Sequence, residues 1–204
     1  MQLLKRINKI VLLIVLTGIC TGACTDSQFL KVHYQFPPDR ETLENITVRL
    51  SFTDMRRNKA ILSQAARKDL PDFTGNFTLV VGPVEEDGRL LGVYDLESLF
   101  KETFRQRLQF AGVKVVEQGD SNVEIEIGLK EFRLDLKTRK WFFNMSYQLN
   151  LTKNGKLIAS EKITGDAERL KTYGARDANK LVSELVTDMI NRLDVTAFFR
   201  NAGL

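Results

Sequence analysis

The chain has 204 residues, 43% hydrophobic and 27% charged, a globular composition that excludes a largely disordered protein. Its length suits one well-cored domain. The formal charge is +4, but Lys5, Arg6 and Lys9 account for most of it. Residues 24–204 carry 27 bases against 26 acids, so the balance gives no support to a nucleic-acid partner.

The N-terminus reads as an export signal. Residues 1–9 are basic, and Ile10–Leu16 is a continuous apolar run that extends weakly to Ile19. About ten residues is the length of a signal-peptide core, whereas crossing a bilayer takes about 20. Thr21-Gly22-Ala23-Cys24 then resembles a lipobox, with small residues at the two positions that a lipoprotein signal peptidase must reach. Cys20 fits less well because bulky Ile19 precedes it. The expected division is a signal peptide at 1–23, a lipidated tether at 24–29 and a single periplasmic domain at 30–204. Cys24 is the expected acylation site, carrying palmitate-type chains that each contribute ~0.8 kcal/mol of anchoring per buried methylene. After cleavage it is the sole cysteine, so no internal disulfide can form. Thr25, rather than Asp, follows it, which by sorting convention directs a lipoprotein to the outer membrane, facing the periplasm.

Val32, Tyr34 and Phe36 alternate with polar residues as a short strand stopped by Pro37-Pro38. Ile46, Val48, Leu50 and Phe52 mark a second, half-buried strand. Residues 54–76 give no clear period and at most a short helical stretch near Ala60–Ala66. Phe77–Val81 is a strand ended by Gly82-Pro83. From Asp95 to Ala111, Leu96, Leu99, Phe100, Phe104 and Leu108 fall on one helical face, with Asp95 as N-cap and Gly112 beyond the C-terminus. Val113–Val116 is a short strand.

Next comes a long meander. Val123, Ile125, Ile127 and Leu129 share one parity while Phe132, Leu134 and Leu136 take the other, which requires a β-bulge near Lys130-Glu131. After a turn at Thr138-Arg139, Phe143, Met145, Tyr147, Leu149 and Leu151 face inward. Asn154-Gly155 predicts a type I′ hairpin into Leu157–Ala167. A second amphipathic helix spans about Ala175 to Leu193, and Phe198 and Phe199 close the chain. The fold class is α+β: a two-layer sandwich whose mainly antiparallel sheet is covered by two helices.

Catalytic chemistry is sparse. His33 is the single histidine, so neither a histidine metal cluster nor a histidine-based triad can be assembled, and no metal or cofactor is expected. Glu124, Glu126, Glu131 and Asp135 alternate as solvated strand residues do. Asp54-Met55-Arg56 reads first as a strand-end turn, with a local ion pair or the binding of a polar group as the alternatives. Trp141 and Phe142 are expected to be partly exposed beside the turn and, with Arg133, form the candidate partner surface.

The lipobox, Asp54-Met55-Arg56, the helix leading into Ala111-Gly112-Val113-Lys114-Val115, the Asn154-Gly155 hairpin and the closing Leu185–Ile190 and Phe198-Phe199 together resemble the YajG-like family of bacterial lipoproteins. The resemblance implies an outer-membrane lipoprotein with no catalytic residues to carry over. The expected function is a non-enzymatic, lipid-anchored domain that binds an envelope protein or glycolipid. Accessory roles in outer-membrane or lipopolysaccharide-export assembly are the alternative, with Arg133, Lys137, Arg139 and Lys140 as its basic cluster. A periplasmic hydrolase is the third reading.

Overall fold

The computed structural model describes residues 28–38, 42–83, 88–117 and 121–204. The signal segment and Cys24 lie outside them. The elements are β1 (Leu30–Gln35), β2 (Thr47–Asp54), α1 (Gln64–Asp69), β3 (Phe77–Gly82), β4 (Arg89–Tyr94), α2 (Leu96–Phe110), β5 (Lys114–Val116), β6 (Val123–Lys137), β7 (Lys140–Lys153), β8 (Lys156–Leu170), α3 (Ala175–Asn191) and α4 (Val195–Asn201).

The class is α+β as expected, but the strands form two mixed sheets rather than one mainly antiparallel sheet. The larger has the order β5-β2-β6-β7-β8 and the smaller β1-β3-β4. The meander β6-β7-β8 is antiparallel, yet β2 joins β6 in parallel and β1 joins β3 in parallel. Arg49 sits opposite Glu124 across 75 residues of sequence, a pairing that no local hairpin signal reveals. β4 was not foreseen. Its Arg89-Leu90-Leu91-Gly92-Val93-Tyr94 lacks alternation because Leu91 falls at a bulge opposite Leu79-Val80.

The expected bulge is present: the β6–β7 register shifts between Leu129 and Glu131. It also explains the segment after β2. β2 pairs with β6 only as far as Leu129, so the second half of β6 needs another neighbour. Residues 61–63 supply it, with Ser63 N–H donating to Leu134 O (2.9 Å) and Leu134 N–H to Ile61 O (2.8 Å). The Ser63 hydroxyl then accepts from Ala66 N–H and starts α1, which buries Ala66 and leads into buried Leu70 and Phe73. The segment is part of the core.

Helix α2 begins at Asp95, whose carboxylate accepts from Ser98 N–H at 2.8 Å, and is followed by Gly112 at φ +88°. A Cβ there would meet Leu43 O at 2.3 Å, so only glycine allows this approach. Asn154 and Gly155, with φ of +53° and +75°, form the β7–β8 turn. Between sheets and helices runs a chain of edge-to-face rings, from Phe73 through Phe77 and Phe132 to Phe143, with Phe100 branching from Phe132, Tyr147 packing on Phe100, and Phe104 on Tyr147.

A candidate binding groove beside the small sheet

Helix α3 holds two sheets at once. Its apolar stripe, Leu181, Val182, Leu185, Val186, Met189 and Ile190, is buried, and the helix packs on β7 and β8. Gly165 of β8 permits the contact, since a Cβ there would lie 2.4 Å from Met189 Sδ. The Tyr147 hydroxyl donates to Met189 O at 2.8 Å from β7.

Beside that stripe, Asn179, Ser183, Thr187 and Asn191 recur every four residues along the free edge of β1. Asn179 Oδ1 accepts from Lys31 N–H (2.9 Å), Ser183 Oγ from His33 N–H (2.9 Å) and Thr187 Oγ1 from Gln35 N–H (3.2 Å). In return, Ser183 donates to Lys31 O, Thr187 to His33 O and Asn191 Nδ2 to Gln35 O. The match is geometric. Four helical residues rise about 6.0 Å and two strand residues about 6.6 Å, so the helix and a parallel strand stay nearly in step over a few rungs. An edge strand whose backbone groups would otherwise need a partner is thus closed by side chains.

Above this seam lie two adjoining cavities of about 560 and 550 Å³ that share Lys31, His33 and Asn179. One runs along α3 past Arg176, Lys180, Ser183 and Glu184. The other crosses the outer face of the small sheet past Phe29, Thr78, Val80 and Leu90. The register explains the second lining: Lys31, Thr78 and Val93 form one row across β1, β3 and β4, and His33, Val80 and Leu90 the next. Leu90 is 63% exposed and Val93 51%. Lys31, Arg176 and Lys180 have no ion-pair partner among the described residues, whereas Glu184 is paired with Arg169. Asp177, nearby in the first turn of α3, is occupied as well. Its carboxylate accepts the Tyr173 and Thr172 amides (2.5 and 2.6 Å), and the Tyr173 bond foremost holds it below the usual range against the opposing effect of burial. The groove is therefore basic at one side and apolar at the other.

The expected partner surface is assembled only in part: Arg133 and Phe142 share a face, and Trp141 does not. Trp141 is fully buried (0% exposed), and its indole N–H has no hydrogen-bond partner among the described residues. The reason is parity: Trp141 shares the inward face of β7 with Phe143 and Met145. Phe142 points to the opposite face, half-buried, with Lys137 Nζ 5.3 Å above its ring. Arg133 is on that same polar face, opposite Asn144. The basic cluster is largely neutralised, since Lys137 pairs with Asp135 and Lys140 with Glu168.

The polar face of the large sheet is a hydrogen-bonded wall. Glu126 accepts from Thr53 and Asn150, and Gln148 bridges Asn150, Ser160 and Lys130. Two of the carboxylates on this face are held ionised: Ser51 and Arg49 lower Glu124, and Ser63 foremost lowers Asp135. Neither is poised as a general acid near neutral pH. At the end of β2, Asp54 and Arg56 form an ion pair, so the segment is more than a turn. Burial pushes the Asp54 carboxyl up, but bidentate bonds from Arg56 at 3.0 Å and a contact from Lys59 outweigh it and bring it to about 2. Arg56 Nη1 also reaches Phe132 O at 3.4 Å, so the pair plugs the gap that the bulge opens between β2 and β6. Among the described residues no group of three His, Cys, Asp or Glu is placed to hold a metal ion.

No protein-family model matches the sequence, and no curated protein matches it. Comparison with solved structures finds similar chains. XCC0632 from Xanthomonas campestris, of family DUF330, aligns with a TM-score of 0.51 at 10% identity over 87% of this chain and 100% of its own. CT253 from Chlamydia trachomatis gives 0.45 at 11% identity, covering 78% of this chain and 99% of its own. A minor lipoprotein of Acinetobacter baumannii gives 0.33 at 10%, covering 77% and 90%. At 10% identity the likeness to XCC0632 is one of fold alone.

Proposed function

We propose that the chain is a lipid-anchored lipoprotein of the bacterial envelope whose domain binds another envelope component and has no catalytic role. The observation that carries this reading is the lipobox ending at Cys24, only six residues before β1 begins at Leu30. The YajG-like pattern of the chain supports the same class and an outer-membrane, periplasm-facing position. Three acyl chains on Cys24 would make release negligible, because even two anchoring signals suffice for stable attachment. The polar wall of the large sheet, including Arg133, is the face offered to a protein partner. Its side chains are already hydrogen-bonded to one another, which presents a fixed pattern of donors and acceptors.

Cys24→Ala should abolish palmitate labelling and leave unprocessed precursor; persistent labelling would overturn the anchor. A photocrosslinking residue at Arg133 should trap a defined envelope protein in cells. Trapping of lipopolysaccharide in its place would favour the export-assembly alternative.

A further inference from the structure

We propose that the groove formed by β1, the outer face of the small sheet and α3 docks the domain onto the anionic phospholipid surface that holds its anchor. This rests on the lipid anchor at Cys24. Gln28 follows Cys24 by four positions, a reach of at most about 14 Å. Phe29 and Lys31, which line the groove, follow at once. The bilayer surface and this end of the domain are therefore never far apart.

The topology gathers the appropriate chemistry at that end. α3 runs parallel to β1, so its first turns, with Arg176 and Lys180, lie beside the strand's start. β4 runs antiparallel to β3, which brings Val93 next to Thr78 and Lys31. β8 ends at Leu170 and leads through Tyr173 into α3. Of the six large apolar side chains that are exposed among the described residues, Val93 and Tyr173 are at the tether end and Leu90 one rung beyond Val93, whereas Leu170 shares the parity of Glu168 on the large sheet's polar face. Leu157 is at the far end of the β7–β8 hairpin. Three cations without ion pairs can take lipid phosphates while apolar and aromatic side chains enter the headgroup layer, the combination that holds peripheral proteins to anionic bilayers. The large sheet's polar wall would then face away from the groove and stay open to a partner.

The test uses the processed, acylated protein, whose one native cysteine is lipidated, so that an introduced thiol is unique. Environment-sensitive probes are placed at Val93→Cys and, as the remote control, Leu157→Cys, on vesicles of phosphatidylcholine with or without phosphatidylglycerol. Flotation with the vesicles reads the anchor; quenching of the probe by spin-labelled lipid reads docking. The expected result is quenching at position 93 only, only with phosphatidylglycerol, and lost in 1 M salt, where the screening length falls to about 3 Å. Lys31→Glu and Lys180→Glu should each lower the docked-to-free ratio about fivefold or more. Equal quenching at both positions, or quenching indifferent to charge, overturns docking while leaving the anchor intact. Failure to float overturns the anchor, and docking with it.

Discussion

The two sheets meet the edge-strand problem in opposite ways. At β1 the small sheet's edge is closed by four side chains of α3, which satisfy backbone groups from Lys31 to Gln35. At β8 the large sheet ends on a 15-residue strand whose safeguards are charges: Glu161, Lys162, Asp166, Glu168 and Arg169. Glu161 even lies on the inward parity, opposite core residue Leu149. One edge is satisfied and the other merely made uninviting. The first arrangement needs one helix in register with one strand, and the same helix also packs on β8, so the two edges are mechanically linked through α3.

Removing the rungs should have the largest effect. The Ser183→Ala, Thr187→Val double variant stays close to the native volume but removes the acceptors of the His33 and Gln35 amides, at a cost of about 3 kcal/mol in urea unfolding. It should also gain a concentration-dependent association, read by sedimentation, because β1 becomes an open edge. Unchanged stability would mean that water replaces the rungs without penalty. A variant far from both edges calibrates this result. Asp54→Asn should cost about 2 kcal/mol at pH 7 with no change of association state. The depressed Asp54 carboxyl contributes stability that is fully present above its unfolded value and is lost as pH falls through about 2. The difference from wild type should therefore shrink between about pH 4 and pH 2; a constant difference across that window would assign the effect to packing alone.

Gly165→Ala links the two edges. Its new Cβ must displace Met189 Sδ, the flexible end of a side chain, so the expected cost is about 1 kcal/mol. If α3 shifts as a unit, hydrogen exchange at the His33 and Gln35 amides should quicken although neither residue is mutated. Protection unchanged at β1 would show that Met189 absorbs the strain and that the edges are independent.

Local elements were legible to the extent that their signals were local. The Asp95 cap, the Asn154-Gly155 turn and the bulge near Lys130 each follow from neighbouring residues, and each is in place. The β1–β3 and β2–β6 pairings join segments dozens of residues apart, and nothing in either strand names its partner. Trp141 was misplaced for a different reason. Nearness to a turn suggests exposure, but period two puts Trp141 with Phe143, and in β7 parity decides. The groove had a sequence signal that a solvated-face reading hides: short polar side chains at Asn179, Ser183, Thr187 and Asn191 border the apolar stripe at a spacing of four. Long charged residues would mark a wet face; a row of short hydrogen-bonding ones beside the stripe marks a contact.

The smallest effect lies at β8 and carries the opposite pH sign from Asp54. Burial, with Asp194 nearby, pushes the Glu161 carboxyl up. A raised folded value means that the protonated form is favoured in the fold, so the contribution to stability is present at low pH and lost as pH rises through that value. At pH 7 ionised Glu161 is thus a small burden, and Glu161→Gln should leave stability unchanged or raise it by up to about 0.5 kcal/mol. The gain should vanish below about pH 4, where both side chains are neutral. The same substitution removes an inward charge from the open edge, so association through β8 should rise as stability does. A stable variant that stays monomeric at high concentration would show that the remaining charges of β8, or its twist, protect the edge without Glu161. A variant less stable at pH 7 would instead assign the carboxylate a favourable contact, contradicting the raised titration that burial imposes on it.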